Sequence, residues 1–546
     1  MGPLCKSVEG NPSLIQVSNA CMKIRTIVSA FVLASSIIST HAQTVSIPDP
    51  GLNAAIRDAL RKPSGLLTVQ DLLSLTNLLA RNRSISNLQG LEGARNLVSL
   101  DLVGNSITSF NLLTELTNLM VLSLSGNPLT SIAFPNGETK LAFLNLSGTG
   151  LKSLPFPSGF NGLTNLDLEG DQLTNFTVPP SFTSLAELDL GFNLFTNFFF
   201  PPGLSNLSSF YFAGNPLTNI VFPPGMSGIE ELNLSQCLLT DFTLATGMTS
   251  LEELNLGFNQ LTNVNLPSDL RNLSDLELSF NRFTRLQLPP NLTNLHALRL
   301  RANLFTNYSV PSGLNALMLL DVSEQPLASI TFNGDLGNLR LLRLSKDRLH
   351  TLTLPSGLTN LQSIGLSGNL LTNLVLPSDL NRLQTIDAGG NALTSLNLPR
   401  GLISLSGLFL LVNPLTSLTL PPDMTNLTDL SFLQTPLTTL VISETLAAST
   451  NLSVNFLTVS ELRNQGINVI TYPPDLRLTL PHQTPTIAGG TFKFFLTGPP
   501  GLYSIQTSTD LSNWSGAFIV TNVLGIADVT DEEASGQKFY RAIIAP

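Results

Sequence analysis

Cysteine is close to absent from this 546-residue chain: Cys5, Cys21 and Cys237 are the only three. Thiols so few and so far apart make neither a disulfide framework nor a cysteine-based metal site. Tryptophan occurs once and tyrosine five times. Charged residues are only 12% of the chain, and 37 acids against 27 bases leave a net charge of −10. Phosphate-backbone recognition needs clustered lysine and arginine, so nucleic acid is not expected as a partner. Catalytic patterns are missing too: no H-E-x-x-H, G-x-S-x-G or G-x-x-x-x-G-K-[ST] occurs. The histidines beyond residue 42 are His296, His350 and His482, far apart in sequence. No enzymatic activity, cofactor or metal is expected. Asp528, Asp531, Glu532 and Glu533 cluster near the end, but without the ordered ligand spacing of a calcium loop, and they read as a solvated acidic turn.

Only one apolar run stands out, and it is too short to span a bilayer, which takes about 20 residues. Lys23 and Arg25 precede it, it extends from Ile27 to Ile38, and Thr40-His41-Ala42 follow. A basic start, an apolar middle and small residues before a cut are the order of an export signal. Translation from Met22 with cleavage after Ala42 is the expected route, residues 1–21 being an over-extended start. Removal of residues 1–42 takes away three cations and one anion, moving the net charge to −12 and leaving Cys237 as the sole cysteine. The expected location is secreted or cell-surface, with no transmembrane span in the mature chain.

What is abundant is leucine, and it repeats. The unit L-x-x-L-x-L-x-x-N-x-L appears at Leu97, Leu100, Leu102, Asn105 and Ile107, and again at Leu251, Leu254, Leu256, Asn259 and Leu261. Its ninth position recurs every 22 residues from 83 to 435 without an insertion or deletion, which makes 17 turns. Asparagine fills that position at 105, 127, 193, 215, 259, 281, 303, 369, 391 and 413, while Arg83, Thr149, Asp171, Cys237, Gln325, Asp347 and Thr435 replace it elsewhere. An asparagine side chain both donates and accepts, so a stacked row of them can satisfy backbone groups buried where the chain turns. Cys237, in this row, reads as a small buried filler.

The pattern resembles the leucine-rich repeat family over roughly residues 75–445. That resemblance implies a solenoid with a parallel sheet on its concave side, and L-x-L burial at period two agrees. The second half of each unit departs from many family members, with proline in one recurring slot, as at Pro267, Pro289, Pro311, Pro355 and Pro377. Proline fixes φ and removes a donor, so irregular or polyproline-like convex segments are expected, with the apolar residues before proline, such as Phe198 and Phe200, packing inward. A solenoid needs caps. Residues 43–74, with Leu52, Ile56, Ala59 and Leu60 on one helical face, resemble the N-terminal helical cap of internalin-like bacterial proteins. The repeats, with a degenerate last turn, run over 75–460, and 461–477 reads as a linker. Residues 478–546 alternate as β-strands and read as a small β-sandwich with Trp514 in its core; the stretch from Tyr503 to Trp514 and Phe539-Tyr540-Arg541 resembles a module of large secreted bacterial proteins. The fold class expected is therefore an α/β-type leucine-rich repeat solenoid with a C-terminal β-sandwich.

Positions 3, 5, 7 and 8 of the unit point out of the sheet. Read turn by turn they give an acidic region, Asp167, Glu169, Glu187, Asp189, Glu231, Glu253, Asp275 and Glu277, interleaved with Phe192, Tyr211, Phe258 and Phe280. The next turns switch sign, with Arg299, Arg301, Arg343 and Lys346. Like charges on adjacent strands repel, and an acidic patch with aromatics beside a basic one suits a dipolar partner. These sixteen residues are the expected contact surface for a protein or glycan ligand. A structural, cell-envelope matrix protein without a discrete ligand is the alternative.

Overall fold

A computed structural model describes residues 43–480, 491–532 and 538–545, apart from positions 136, 138, 202 and 224. The export segment, His482 and Glu533 lie outside these residues.

Eighteen strands form one parallel sheet. The first is Asn77–Leu79, the second Ser99–Asp101, and so on every 22 residues to Asp429–Ser431. Ser453–Val454 closes the row. Each residue pairs with its equivalent in the next turn: Leu78 with Leu100, Leu232 with Leu254, Leu408 with Leu430. At about 4.8 Å per strand the row is about 80 Å long. Each three-residue strand of the sheet buries its central residue, and most leave the flanking residues more open, as in Glu253–Asn255. The buried leucines and phenylalanines of successive turns merge into one continuous core.

Asparagine holds the turns together as the sequence implies. The Asn127 amide donates to the carbonyls of Leu102 and Leu124, at 2.9 and 2.8 Å, and its oxygen accepts from Ile107 N at 3.0 Å. Asn193, Asn259, Asn303 and Asn413 repeat this set. Gln325 reproduces it with a longer arm, donating to Leu300 O and Val322 O and accepting from Phe305 N. Cys237 is buried, its thiol aimed at Phe212 O and Ser235 O at 3.6 Å. Burial raises its pKa to about 11, so the filler reading stands. Asp171 and Asp347 can only accept, and each has one carboxylate oxygen buried without a partner.

The convex side is more ordered than an irregular segment. Several turns pair there as short parallel ladders: Asp241–Thr243 with Asn263–Asn265, Asn307–Val310 with Ser329–Phe332, and Thr351–Thr353 with Asn373–Val375. Proline follows the paired stretch instead of interrupting it, so the lost donor falls outside the ladder. Phe198 is buried and Phe200 packs beside it, with ring centroids 4.9 Å apart.

The N-terminal end is covered by the helix Pro50–Leu60. Asp49 caps it by accepting from Leu52 N, and the same carboxylate accepts from Ser86 N and Asn87 N of the first turn. One side chain thus starts the helix and fastens it to the stack.

At the other end, the segment read as a linker is built into the stack. Helix Val459–Asn464 starts on a reciprocal Thr458–Glu461 cap, and Asn468–Tyr472 pairs in parallel with Thr439–Ser443. The alternating apolar residues of this stretch were masked by the loss of the 22-residue spacing. The Tyr472 hydroxyl donates to Leu420 O at 2.5 Å. Gly525 lies directly over Tyr472: a Cβ there would stand 2.5 Å from the tyrosine Cβ. Gly525 belongs to the C-terminal part, which has two three-stranded antiparallel sheets around a small core of Phe494, Leu496, Tyr503, Ile505 and Val529. Trp514 is not in that core. It is half-buried beneath the Arg541 guanidinium, 4.4 Å from the ring, because the strand it precedes leaves its turn on the surface. The expected acidic turn is also partly strand: Asp528 pairs with Phe495, and buried Asp531 accepts from Lys538 and Tyr540.

Candidate functional site

The open face of the long sheet is built by two rows of side chains, one on each flank of the buried leucines. The first contains Glu187, Ser209, Glu231, Glu253 and Asp275, and the second Asp167, Asp189, Tyr211, Asn233, Asn255, Glu277 and Arg299. In-register parallel pairing puts like beside like. Asp167 faces Asp189, Glu231 faces Glu253, and Glu253 faces Asp275. All sixteen expected residues lie on this face, spread over nine strands or about 38 Å. They form no single pocket. Six of them, Tyr211, Glu231, Glu253, Asp275, Glu277 and Arg299, share a cavity of about 260 Å³ with Asn233 and Asn255.

The electrostatics divide the face in a way the sequence reading did not foresee. The expected basic patch is neutralised. Arg343 sits 3.6 Å from Asp321, Lys346 2.6 Å from Glu324, and Arg301 3.0 Å from Glu324. Arg299 turns back to Asp275 at 2.5 Å and towards Glu277 at 4.0 Å. Asp321 and Glu324 occupy positions 5 and 8 of a turn left out of the charge map. Their spacing of 22 residues from Arg343 and Lys346 was the signal that could have found them.

The acidic region is different. Among the described residues, Asp167, Glu169, Glu187, Asp189, Glu231 and Glu253 have no ion-pair partner. Tyr211 donates its hydroxyl to Glu231, and Asn165 donates to Glu187. Burial raises the pKa of Asp189 to about 7, with Asp167, Glu169 and Glu187 adding repulsion. Burial, then Glu231, Asp275 and Glu252, raise that of Glu253. Oxygens of Asp167, Glu169 and Asp189 approach within 4.8 Å of one another, a spacing that a bound cation could bridge. The field is thus held under its own repulsion, and a positive group arriving from solvent would relieve it.

Aromatic rings flank the carboxylates, and the backbone beneath them is strained. Position 8 adopts a left-handed conformation in every turn. Glycine takes it at 104, 126, 148, 170, 214, 368 and 390, with φ from 62° to 73°. Phe192, Phe258 and Phe280 take it with φ of 52° to 57°, at a cost of about 1 kcal/mol or more each. Phe258 and Phe280 stack face to face, with centroids 4.2 Å apart and planes within 8°. Arg301 lies over the Phe280 ring at 5.4 Å. Phe192 and Phe258 remain about half exposed.

The chain matches the model of the BspA type leucine rich repeat region in six copies, over residues 103–188, 191–310 and 343–453. Among solved structures it is similar to YopM from Yersinia enterocolitica, at 24% identity over 75% of this chain and 89% of that one, with a TM-score of 0.53. It is also similar to the functional domain of InlJ from Listeria monocytogenes, at 18% identity over 84% of this chain and 97% of that one, with a TM-score of 0.50. These likenesses show the solenoid fold. The InlJ domain includes a cysteine ladder; here the inward row is mostly asparagine, with Cys237 as its one thiol. No curated protein matches the sequence.

Proposed function

We infer that this chain, which belongs to the BspA-type leucine-rich repeat family, is an exported, non-enzymatic binding protein that takes a macromolecular ligand on the open face of its long sheet. The observation that carries this reading is the run of unpaired carboxylates from Asp167 to Glu253, half-buried at Asp167 and Asp189, with no cation among them. A face serving only solubility would gain nothing from burying Asp189 beside three other acids; a face that receives a positively charged surface would. The basic leader followed by an apolar run supports export, and no helix among the described residues is long and apolar enough to cross a membrane.

The test is a binding screen of the purified full chain against arrays of glycans and secreted or surface proteins at two salt concentrations. Salt-weakened, saturable capture is expected. Reversing Glu187, Asp189, Glu231 and Glu253 to lysine is expected to weaken the captured ligand by roughly tenfold or more. Unchanged affinity would end the open-face assignment. Concentration-dependent self-assembly without any capture would favour an envelope-matrix role.

A further inference from the structure

We propose that the cavity beside Tyr211, together with the stacked Phe258–Phe280 pair next to it, is a docking subsite for an arginine- or lysine-bearing segment of a partner protein. The proposal rests on the open-face reading above and specifies the chemistry of the occupant.

Three observations converge on it. The cavity lies where Glu231, Glu253 and Asp275 follow one another on adjacent strands. Among the described residues only one cation, Arg299, lines it, and Arg299 is engaged by Asp275. Charge complementarity therefore calls for further positive charge from outside. Its volume of about 260 Å³ suits one long side chain and not a folded element.

The two rings stand at the eighth position of the turns that supply Glu253 and Asp275, three residues beyond the cavity-lining Asn255 and Glu277. An extended segment crossing the strands could place a basic side chain in the cavity and an apolar neighbour on the rings.

The backbone supplies the argument against a structural role for those rings. Glycine occupies the same left-handed position in seven other turns, and Asn82, Gln236, Ala302, Glu324, Lys346, Val412 and Gln434 occupy it in seven more, so the fold itself does not require phenylalanine there. Phe258, at 54% exposed, contributes little to the core, and Phe280 is half-buried beneath it and Arg301. A purely glycan ligand would use the rings but would have no need of the two carboxylates, Glu231 and Glu253, that no cation pairs among the described residues.

The probes are two fluorescently labelled decapeptides of alternating leucine and arginine, or alternating leucine and citrulline, titrated into the full chain. Citrulline keeps the size and removes the charge. The arginine peptide is expected to bind at least tenfold more tightly than its citrulline counterpart. The double variant Phe258→Gly/Phe280→Gly and the double variant Glu231→Gln/Glu253→Gln are each expected to weaken it about tenfold. The phenylalanine variant should do so with an unchanged or raised melting temperature, because glycine relieves the left-handed strain. Loss of binding together with loss of stability would assign the rings a structural role and overturn the proposal. Equal binding of both peptides would overturn the cationic specificity. Arginine-peptide binding that ignores Phe258, Phe280, Glu231 and Glu253 but is lost on Glu187→Gln/Asp189→Asn would overturn this subsite and leave the open-face reading intact.

Discussion

Replacing Asn281 with leucine is expected to destabilise the array by about 2–3 kcal/mol, although leucine is close to asparagine in volume and far more apolar. The Asn281 amide donates to Leu256 O at 2.9 Å and Leu278 O at 3.0 Å, and its oxygen accepts from Leu261 N at 2.9 Å. All of these atoms are buried in the stack, so the substitution strands the Leu261 N donor in a place water reaches poorly and takes one of two amide donors from each carbonyl, Asn259 and Asn303 supplying the other. The stranded donor costs about 1–3 kcal/mol and each lost second bond about 1 kcal/mol. Leucine's greater apolarity offsets part of this, by about 1–2 kcal/mol for the extra carbon surface. The measurement is chemical denaturation combined with amide hydrogen exchange at Leu261, because a repeat array can open locally around one damaged turn. A loss below 1 kcal/mol, with Leu261 still protected, would show that the row of asparagines is dispensable.

The opposite substitution in the same row is expected to stabilise. Asp347 is buried, accepts from Gln325 N at 2.8 Å, and has its second oxygen unpartnered. Burial, with repulsion from Asp321 and Glu324, raises its pKa to about 7. Asparagine would add donors towards Val322 O and Leu344 O, the two carbonyls that occupy the places of Leu102 and Leu124 around Asn127. Neither carbonyl is saturated, since each holds one amide donor, from Gln325 and Asn369 respectively. A carboxyl whose folded pKa lies above its unfolded value binds a proton more tightly in the fold. Its favourable contribution is complete below about pH 4 and disappears as pH rises through about 7. Asp347→Asn should therefore gain about 2–4 kcal/mol at pH 8 and much less at pH 5. Unfolding midpoints of the two proteins at those pH values decide the matter. Equal midpoints at pH 8, or a gain that does not depend on pH, would show that Asp347 is not an ionised burden on the fold.

The solenoid was legible because one spacing persists through 17 turns. Leu232 and Leu254 could be placed opposite each other from the sequence alone, and so could the asparagine row and its exceptions. The outward direction of Glu231, Glu253 and Phe258 followed from the same arithmetic. What could not be read was how long side chains bend. Arg299 reaches diagonally to Asp275, 24 residues away, and Arg301 to Glu324, 23 residues away, so neither contact follows the register. The left-handed backbone beneath Phe192, Phe258 and Phe280 was equally hidden, although glycine at the same position of seven other turns was a visible hint. Beyond residue 445 the period fails, and with it the means to tell a paired strand such as Asn468–Tyr472 from a connector, or a half-covered Trp514 from a core residue.

The unbroken register also sets the terms on which such a chain can change length. Loss of a single residue within a strand would carry every following side chain of that strand to the other face. Loss or gain of a whole 22-residue unit would leave each asparagine its carbonyls at the same offsets and shift the sheet's length by only about 4.8 Å. The same event would bring Glu231 beside a new neighbour, or separate Phe258 from Phe280. Copying or dropping one coding unit is thus a change the core does not register, while the pattern of charge and rings offered to a ligand is rewritten in one step.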